Sequence, residues 1–289
     1  MKIEALVAAL LLGTVASAHA DLVISAKPTQ NVTCSAGTCT ATAQQAVLNV
    51  SDLAALLASG DVSVASASVA QDIEIDATLS WVSPNRLTLD AYRAISFKRP
   101  VTVAGTGALT ITTNDGATGG DFVFSGRGHV VFWDLTSSLI INGDSYLLVK
   151  KLSDLRSLIG IPGHSVALAD NYNAQKKGVY RKSPLKQLYG TLEGLGNVIS
   201  NLSVSDPSRF DLVGLVGDNR GTIRDLGVTN ETVSGNGDKN DVGGLAGWNE
   251  GTIQNCYTTG TVSTTGFNVG GLAGRNEDGA IIHSTRPPP

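Results

Sequence analysis

Alternating apolar and polar residues fill the chain from Leu22 to about Asn142 in very short runs. The clearest runs are "IEIDATL" (73–79), "LTLD" (87–90), "ISF" (95–97), "VTV" (101–103), "LTIT" (109–112), "FVF" (122–124), "VVFW" (130–133) and "LII" (139–141). A period of two predicts strands with one face turned inward and the other toward water. Turn segments such as "GTG" and "NDG" separate the runs. Strands so short and turns so dense favour the coils of a β-solenoid over a sandwich.

Two intervals have helical periodicity. "SDLAALLASG" (51–60) predicts a short helix with Ser51 as its N-cap and Gly60 as its stop. "LLVKKLSDLRSLIG" (147–160) predicts a second helix, which Gly160 and Pro162 would end. The polar, lysine-rich stretch 173–187 that follows is interpreted as a surface connection.

Related segments recur near the C-terminus. Gly214, Gly244 and Gly271 occupy the same place in three similar segments, 30 and 27 residues apart. Such a spacing is typical of stacked repeat arrays. The segment 194–206 matches the later half of the same unit, so the array is expected to begin near Tyr189.

The repeats contain few groups that could do chemistry. Their valines and leucines are expected to point inward, and their glycines to allow neighbouring coils to pack closely. Asn219, Asn249 and Asn276 share one position, where asparagine tolerates a left-handed turn and stacked amides would form a ladder. A row of sugar or ion ligands is the alternative, but calcium needs about six to eight oxygens at each site.

The N-terminus and the cysteines indicate an exported protein. Lys2 precedes the apolar run 5–16, and "AHA" (18–20) predicts signal-peptide cleavage after Ala20. A membrane helix is the alternative, although the run is shorter than the roughly 20 residues that a bilayer requires. Cys34 and Cys39 enclose four residues and are expected to form a disulfide. A metal site lacks further ligands nearby, and Cys256 is expected to be a buried thiol.

The segment "GGLAGWNEGTIQNCYTTGTVS" (243–263) resembles the GLUG motif, and "YGTLEGLGNVISNLSVSD" (189–206) resembles the segment that precedes GLUG arrays. The segment 79–116 is similar to repeat regions of filamentous-haemagglutinin-like bacterial surface proteins. The resemblance implies an all-β fold, a right-handed parallel β-helix with short helical interruptions, that is secreted and used for surface contact. GLUG motifs occur in adhesins and beside the catalytic domains of immunoglobulin A peptidases.

Four regions are expected from these patterns: a signal peptide (1–20), a haemagglutinin-like β-helix (21–145), a helix with a connecting segment (146–188) and a GLUG array (189–289). The sequence ends within the third unit at "STRPPP" (284–289), which suggests either truncation or prolines that blunt a strand edge.

No enzyme signature is present in the sequence. The three histidines after the signal peptide, His129, His164 and His283, form no H-E-x-x-H, and G-x-S-x-G does not occur. We therefore predict no catalytic residue, no metal and no cofactor. The enzymatic alternative is a β-helix polysaccharide lyase or hydrolase that uses Asp72, Glu74 and Asp76 on one strand face, although a solvated face explains the same pattern.

The sequence therefore predicts a bacterial, adhesin-like protein that is secreted or held at the cell surface. Its partners would be a host-cell or matrix surface, a glycan, and an outer-membrane protein that assists secretion. A net charge of −4 and a pI near 5.5 argue against nucleic acid. A structural spacer without ligands is the remaining alternative. The predicted contact residues are the turn tips Asp218, Asn219, Arg220, Trp248, Asn249, Glu250, Arg275, Asn276 and Glu277.

Overall fold

A computed structural model describes residues 21–158, 163–209, 211–238 and 240–284. The chain forms a β-solenoid of about nine turns, which confirms the predicted fold class. The proposed signal peptide and cleavage site, and the glycine and proline expected to end the second helix, lie outside the described residues.

The first half of the chain, here called the first solenoid, contains fourteen strands and two short helices. The strands are β1 (Asp21–Ser25), β2 (Val32–Ser35), β3 (Thr38–Ala41), β4 (Ala46–Asn49), β5 (Val62–Ala65), β6 (Asp72–Ile75), β7 (Leu79–Trp81), β8 (Arg86–Asp90), β9 (Ile95–Phe97), β10 (Val101–Val103), β11 (Ala108–Thr112), β12 (Phe122–Phe124), β13 (Val130–Phe132) and β14 (Ser138–Ile141). The helices are α1 (Val50–Ser59) and α2 (Ala67–Ala70).

The other half, here called the second solenoid, contains the remaining strands of the described residues. They are β15 (Asp144–Val149), β16 (Ser165–Leu168), β17 (Tyr172–Asn173), β18 (Leu185–Leu188), β19 (Thr191–Glu193), β20 (Val198–Ser200), β21 (Ser203–Asp206), β22 (Leu212–Val213), β23 (Val216–Asn219), β24 (Thr222–Arg224), β25 (Gly227–Gly235), β26 (Asp241–Gly243), β27 (Ala246–Asn249), β28 (Thr252–Gln254), β29 (Tyr257–Thr264), β30 (Asn268–Gly270), β31 (Ala273–Asn276) and β32 (Ala280–Ile282). Helix α3 (Leu152–Leu158) and a 3₁₀ turn (Ala174–Lys177) complete it.

Parallel sheets form the walls of both solenoids. One sheet of twelve strands, in the order β2-β3-β5-β8-β11-β14-β15-β16-β19-β24-β28-β32, runs through both. In the first solenoid the other walls are β12-β9-β6-β1-β4 and β13-β10-β7. In the second they are β17-β20-β25-β21 with β29 on β25, β18-β23-β27-β31, and β22-β26-β30. Inward positions alternate with outward ones, as at Leu87 and Leu89 of β8, which are fully buried.

The N-cap of helix α1 lies two residues earlier than predicted. Asn49, not Ser51, is the N-cap, and its Oδ1 accepts bonds from the backbone N–H groups of Ser51 (2.8 Å) and Asp52 (3.3 Å). Asparagine at this position satisfies helix donors that otherwise lack partners. Leu53 and Leu57 are fully buried, so the helix packs one face onto the core beside β7.

The predicted disulfide is confirmed. Cys34 and Cys39 are bonded across the β2–β3 hairpin, where they lie directly opposite each other in the antiparallel register. Gly37 has a φ of +79° in the connecting turn, a conformation that glycine adopts without steric cost. Cys256 is buried and unbonded, as expected.

The helix predicted over 147–160 is wrong in its first part. Residues up to Val149 belong to β15, and the helix occupies only Leu152–Leu158. Leu148 packs into the first core and Val149 into the second, because strand alternation sends neighbouring side chains to opposite faces. The segment 146–188 also contains β16, β17 and β18, and so contributes to the walls rather than only connecting them.

Strand direction reverses between the two solenoids. β14 and β15 form an antiparallel hairpin around Asn142 and Gly143, both at positive φ, and β16 then pairs parallel to β15. An Asn-Gly pair suits the tight turn of such a hairpin. On β16, Ala167 faces the first core and Val166 the second. One strand therefore closes the first solenoid and opens the second.

Backbone and side-chain hydrogen bonds lock this junction. In β13, the Val130 N–H donates to the Leu195 carbonyl at 2.9 Å. Asn197 is completely buried, and its Nδ2 donates to the carbonyls of Val130 (2.8 Å) and Leu168 (3.0 Å). This amide therefore bonds to both solenoids at once.

We predict that Asn197→Ala lowers the free energy of unfolding by about 2–4 kcal/mol, because two buried carbonyls lose their donor. Urea unfolding of the full chain measures it. Asn236→Ala is the matched control, since this exposed asparagine should cost less than about 0.5 kcal/mol. Equal losses in the two variants would contradict the role given to Asn197.

Candidate functional site

The repeated asparagines form a ladder inside the second solenoid. Asn219 and Asn249 pair in register on β23 and β27, and Asn249 pairs with Asn276 on β31. Asn219 Nδ2 donates to Asn249 Oδ1 at 2.6 Å, and Asn249 Nδ2 donates to Asn276 Oδ1 at 2.6 Å. Because each amide offers both a donor and an acceptor, a stack of them satisfies itself. The predicted ladder is confirmed.

The left-handed conformation expected at these asparagines occurs elsewhere. Among other positions, positive φ recurs at Asp225 (52°), Asn255 (52°) and His283 (48°), one at the corresponding corner of each repeat. Short polar side chains tolerate this region better than most residues, which explains why aspartate and asparagine stand at two of these corners. The ladder asparagines have extended backbones because they end strands.

The ladder also removes two residues from the predicted contact surface. Asn219 and Asn249 have no exposed surface, and both amides are used within the coil. Only Asn276, at the last described rung, is exposed. The expectation that all three asparagines are solvent-facing tips is therefore wrong for the first two. It is also wrong for Asp218, which is only 8% exposed because neighbouring coils cover it.

The remaining predicted tips lie together on one wall, which we call the repeat face. Its members are the predicted residues Asp218, Arg220, Trp248, Glu250, Arg275 and Glu277, together with Gln187, which was not predicted. In-register pairing stacks Gln187 of β18, Asp218 of β23, Trp248 of β27 and Arg275 of β31 in one row. Sequence reasoning missed Gln187, because β18 lies in the stretch interpreted as a connection.

Charged and aromatic groups on the repeat face contact one another. Arg220 lies 2.8 Å from Asp218 through Nε and 3.0 Å from Glu250 through a terminal nitrogen. The Arg275 guanidinium carbon lies 5.1 Å from the centroid of the Trp248 ring, within the range of a cation–π contact. The face therefore presents an ordered pattern of charge around one partly exposed indole.

Part of the repeat face matches a known protein family. Residues 240–263 match the family model of the GLUG motif. This GLUG segment includes β26, β27 and β28, and with them Trp248 and the middle rung of the ladder. The resemblance seen in the sequence is thus confirmed for this unit, whereas the haemagglutinin-like resemblance upstream stays a prediction.

One curated relative shares part of the chain. Halomucin from Haloquadratum walsbyi (strain DSM 16790 / HBSQ001) is 46% identical over 96 residues, which make up 32% of this chain and 1% of that protein. The chain thus corresponds to a very small part of a much longer relative. No solved structure matches the chain significantly.

A buried charge cluster joins the GLUG repeats to the first solenoid. Arg224 on β24 lies 3.1 Å from Asp121 before β12, and its guanidinium carbon is 4.2 Å from the centroid of the Phe122 ring. Its Nε lies 2.8 Å from Asp225 and 3.1 Å from Glu193. Three carboxylates therefore surround one arginine.

Burial is the largest cause of the pKa shifts of the carboxyl groups in this cluster. It raises the pKa of Asp225 to about 6, with Arg224 opposing the shift. Burial, together with the charge of Asp225, raises the pKa of Glu193 well above its usual range. A cleft of about 310 Å³ lies beside the cluster, between Phe124 of the first solenoid and Asp225 and Tyr257 of the second.

Glu231 is a further buried acid, which lies outside this cluster and was not predicted from the sequence. The residue is 2% exposed on β25, and its Oε2 has no hydrogen-bond partner. Burial raises its pKa to about 8, while a hydrogen bond with the Thr258 side chain acts in the opposite direction. Its neutral form is therefore favoured near pH 7.

The carboxylates of the enzymatic alternative are paired across coils. Asp72 contacts Arg93, Lys98 Nζ lies 2.6 Å from Glu74, and Arg99 lies 3.9 Å from Asp76. The cations come from the coil that follows, so these residues form ion pairs between neighbouring coils.

Among the described residues, no group of three or more His, Cys, Asp or Glu side chains is arranged to hold a metal ion. In the same part of the chain, no helix is long and apolar enough to cross a membrane.

We predict that Asn249→Ala lowers the free energy of unfolding by about 2–4 kcal/mol, because it unpairs the amides above and below it. Asn276→Ala should cost less than about 1 kcal/mol, since this rung is exposed and has one ladder neighbour. Urea unfolding of both variants measures the difference. A larger loss from Asn276→Ala would contradict the ladder.

We predict that Glu231→Gln stabilises the protein at alkaline pH. The folded pKa exceeds the unfolded value, so the Glu231 contribution is fully present below about pH 4.5 and is lost as pH rises to about 8. The variant should match the parent near pH 4.5 and exceed it by roughly 2–4 kcal/mol at pH 9. Urea unfolding across this range tests it, and parallel pH profiles would contradict it.

Proposed function

We propose that this chain is part of a secreted or surface-associated, adhesin-like repeat protein that binds surfaces or glycans through the repeat face. Coil stacking places corresponding positions of successive repeats side by side at the strand spacing of about 4.8 Å. A long ligand can then make many weak contacts that add through avidity.

The observation that carries the proposal is the in-register row of Asp218, Trp248 and Arg275. Buried positions of the repeats keep the same residue, as the ladder asparagines do, whereas this row changes from acid to aromatic to base. Trp248 is partly exposed and Arg275 is exposed, so packing constrains these two positions less than the ladder, and their differences can serve recognition.

The comparisons support a repetitive extracellular role. The GLUG match covers the centre of the repeat face, and the likeness to part of Halomucin links the chain to a very long protein. The N-terminal sequence, with its predicted cleavage after Ala20, supports export. A host-cell or matrix surface and an outer-membrane secretion partner remain the proposed partners.

We predict that Trp248→Ala, combined with Arg275→Ala, reduces binding to an epithelial cell layer or a printed oligosaccharide array by about tenfold, since aromatic and arginine side chains dominate contact energies. Trp133→Ala is the matched control, because Trp133 is 62% exposed on the first solenoid. Fluorescence of the labelled full chain measures binding.

The outcomes separate the three functions considered. Equal binding by the double variant and the parent would exclude the repeat face as the contact surface. Shortened products after incubation with acidic polysaccharides would favour the enzymatic alternative. An unvaried chain that neither binds nor cleaves would favour a structural spacer.

A further inference from the structure

A groove that is lined by several charged side chains opens at one end of the repeat face. It has a volume of about 620 Å³, within the usual range for small-ligand sites. Three chain segments meet there: the end of α3, the stretch that leads into β18, and the strands β22 and β23 with the residue before them. The lining residues that matter are Arg156, Lys182, Lys186, Gln187, Asp211 and Asp218.

The three cationic side chains of the groove differ in whether an acidic residue already neutralises them. Lys182 lies 3.2 Å from Asp211, so that pair is neutralised within the protein. Arg156 donates through Nε to the Pro184 carbonyl at 3.0 Å, which orients its guanidinium. Lys186 projects from β18 and is exposed. Lys186 and Arg156 therefore supply positive charge for an incoming anion.

Asp218 adds an acceptor to the same groove. It is 8% exposed, and its Oδ2 accepts bonds from Gln187 (2.7 Å) and Arg220 (2.8 Å). Its Oδ1 is buried without a hydrogen-bond partner in the protein. An unsatisfied buried carboxylate oxygen is costly, and a ligand hydroxyl can supply the missing donor.

These groups together select a ligand that has both an acid group and hydroxyls. A continuous phosphate backbone would be repelled by the Asp218 carboxylate, whose Oδ1 has no hydrogen-bond partner, and a neutral sugar would make no use of Lys186 and Arg156. A sugar with one carboxylate or sulfate offers an anion to Lys186 and Arg156 and a hydroxyl to Asp218. Trp248 lies one strand beyond Asp218, a distance comparable to the length of a sugar ring.

We propose that this groove binds an acidic sugar residue, with Lys186 and Arg156 contacting its carboxylate or sulfate and Asp218 accepting a hydroxyl bond. The inference rests on the proposed function, because it assigns a ligand class to the end of the repeat face. The remainder of a saccharide chain would continue along the face toward Trp248.

Calorimetric titration of the full chain tests the site. The probes are trigalacturonic acid, a sulfated galactotriose, neutral galactotriose and inorganic sulfate. We expect at least one acidic trisaccharide to bind, and Lys186→Gln to weaken that binding about five- to tenfold. Lys176→Gln is the matched control, because this lysine is exposed on the 3₁₀ turn and makes the same change of charge.

Asp218→Asn separates a sugar site from a simple anion site. It should weaken the acidic trisaccharide severalfold and leave any binding of inorganic sulfate unchanged. Thermal unfolding of each variant, with an unchanged midpoint, confirms that the fold is retained.

Four results would overturn the inference: no binding of either acidic trisaccharide, equal affinity for neutral galactotriose, equal affinity for inorganic sulfate, or an unchanged affinity in Lys186→Gln. Loss of surface binding on changing Trp248 and Arg275, without any trisaccharide binding, would leave the proposed function standing and refute only the groove.

Discussion

In-register hydrogen bonding between successive coils is the constraint on which the rest of this structure depends. Outside the hairpins, strands lie beside strands from the neighbouring coil, so the neighbours of a side chain are fixed by the repeat. Asn219 meets Asn249 thirty residues later, and Asn249 meets Asn276 after twenty-seven. A residue type that recurs at one buried position must therefore be stable when several copies are stacked. Asparagine meets that condition because its side-chain amide can hydrogen-bond to the amide of the next copy.

A second constraint is that the two solenoids share one sheet, and the junction between them must bury both faces of that sheet. Reversal of strand direction at the β14–β15 hairpin means that the two cores lie on opposite faces of the shared sheet. β16 consequently buries side chains on both faces, which permits small residues such as Ala167 toward one core and larger ones such as Val166 toward the other. At this meeting Asn197 donates to enclosed carbonyls of both solenoids, and Arg224 forms ion pairs with the enclosed carboxylates.

The sequence predicted features that arise from local chemistry. Strand positions such as β9 and β10 follow from alternation, the disulfide from the spacing of its cysteines, and the ladder from the repeat. β15 could not be recognised, because its apolar run fits a helical period equally well and its pairing partners are distant in sequence. The groove was missed for a related reason: its residues come from three segments that only coil stacking brings together.

Coil stacking also has a consequence for how such a chain can change over evolutionary time. The contacts of the junction and of the Arg224 cluster are made where the first solenoid meets the second. The asparagine ladder, in contrast, continues from one repeat to the next. Duplication of one GLUG unit would therefore lengthen the array by a coil without redesigning either core. The length of the surface can be adjusted by gene duplication, and each new copy brings one outward position that is free to diverge.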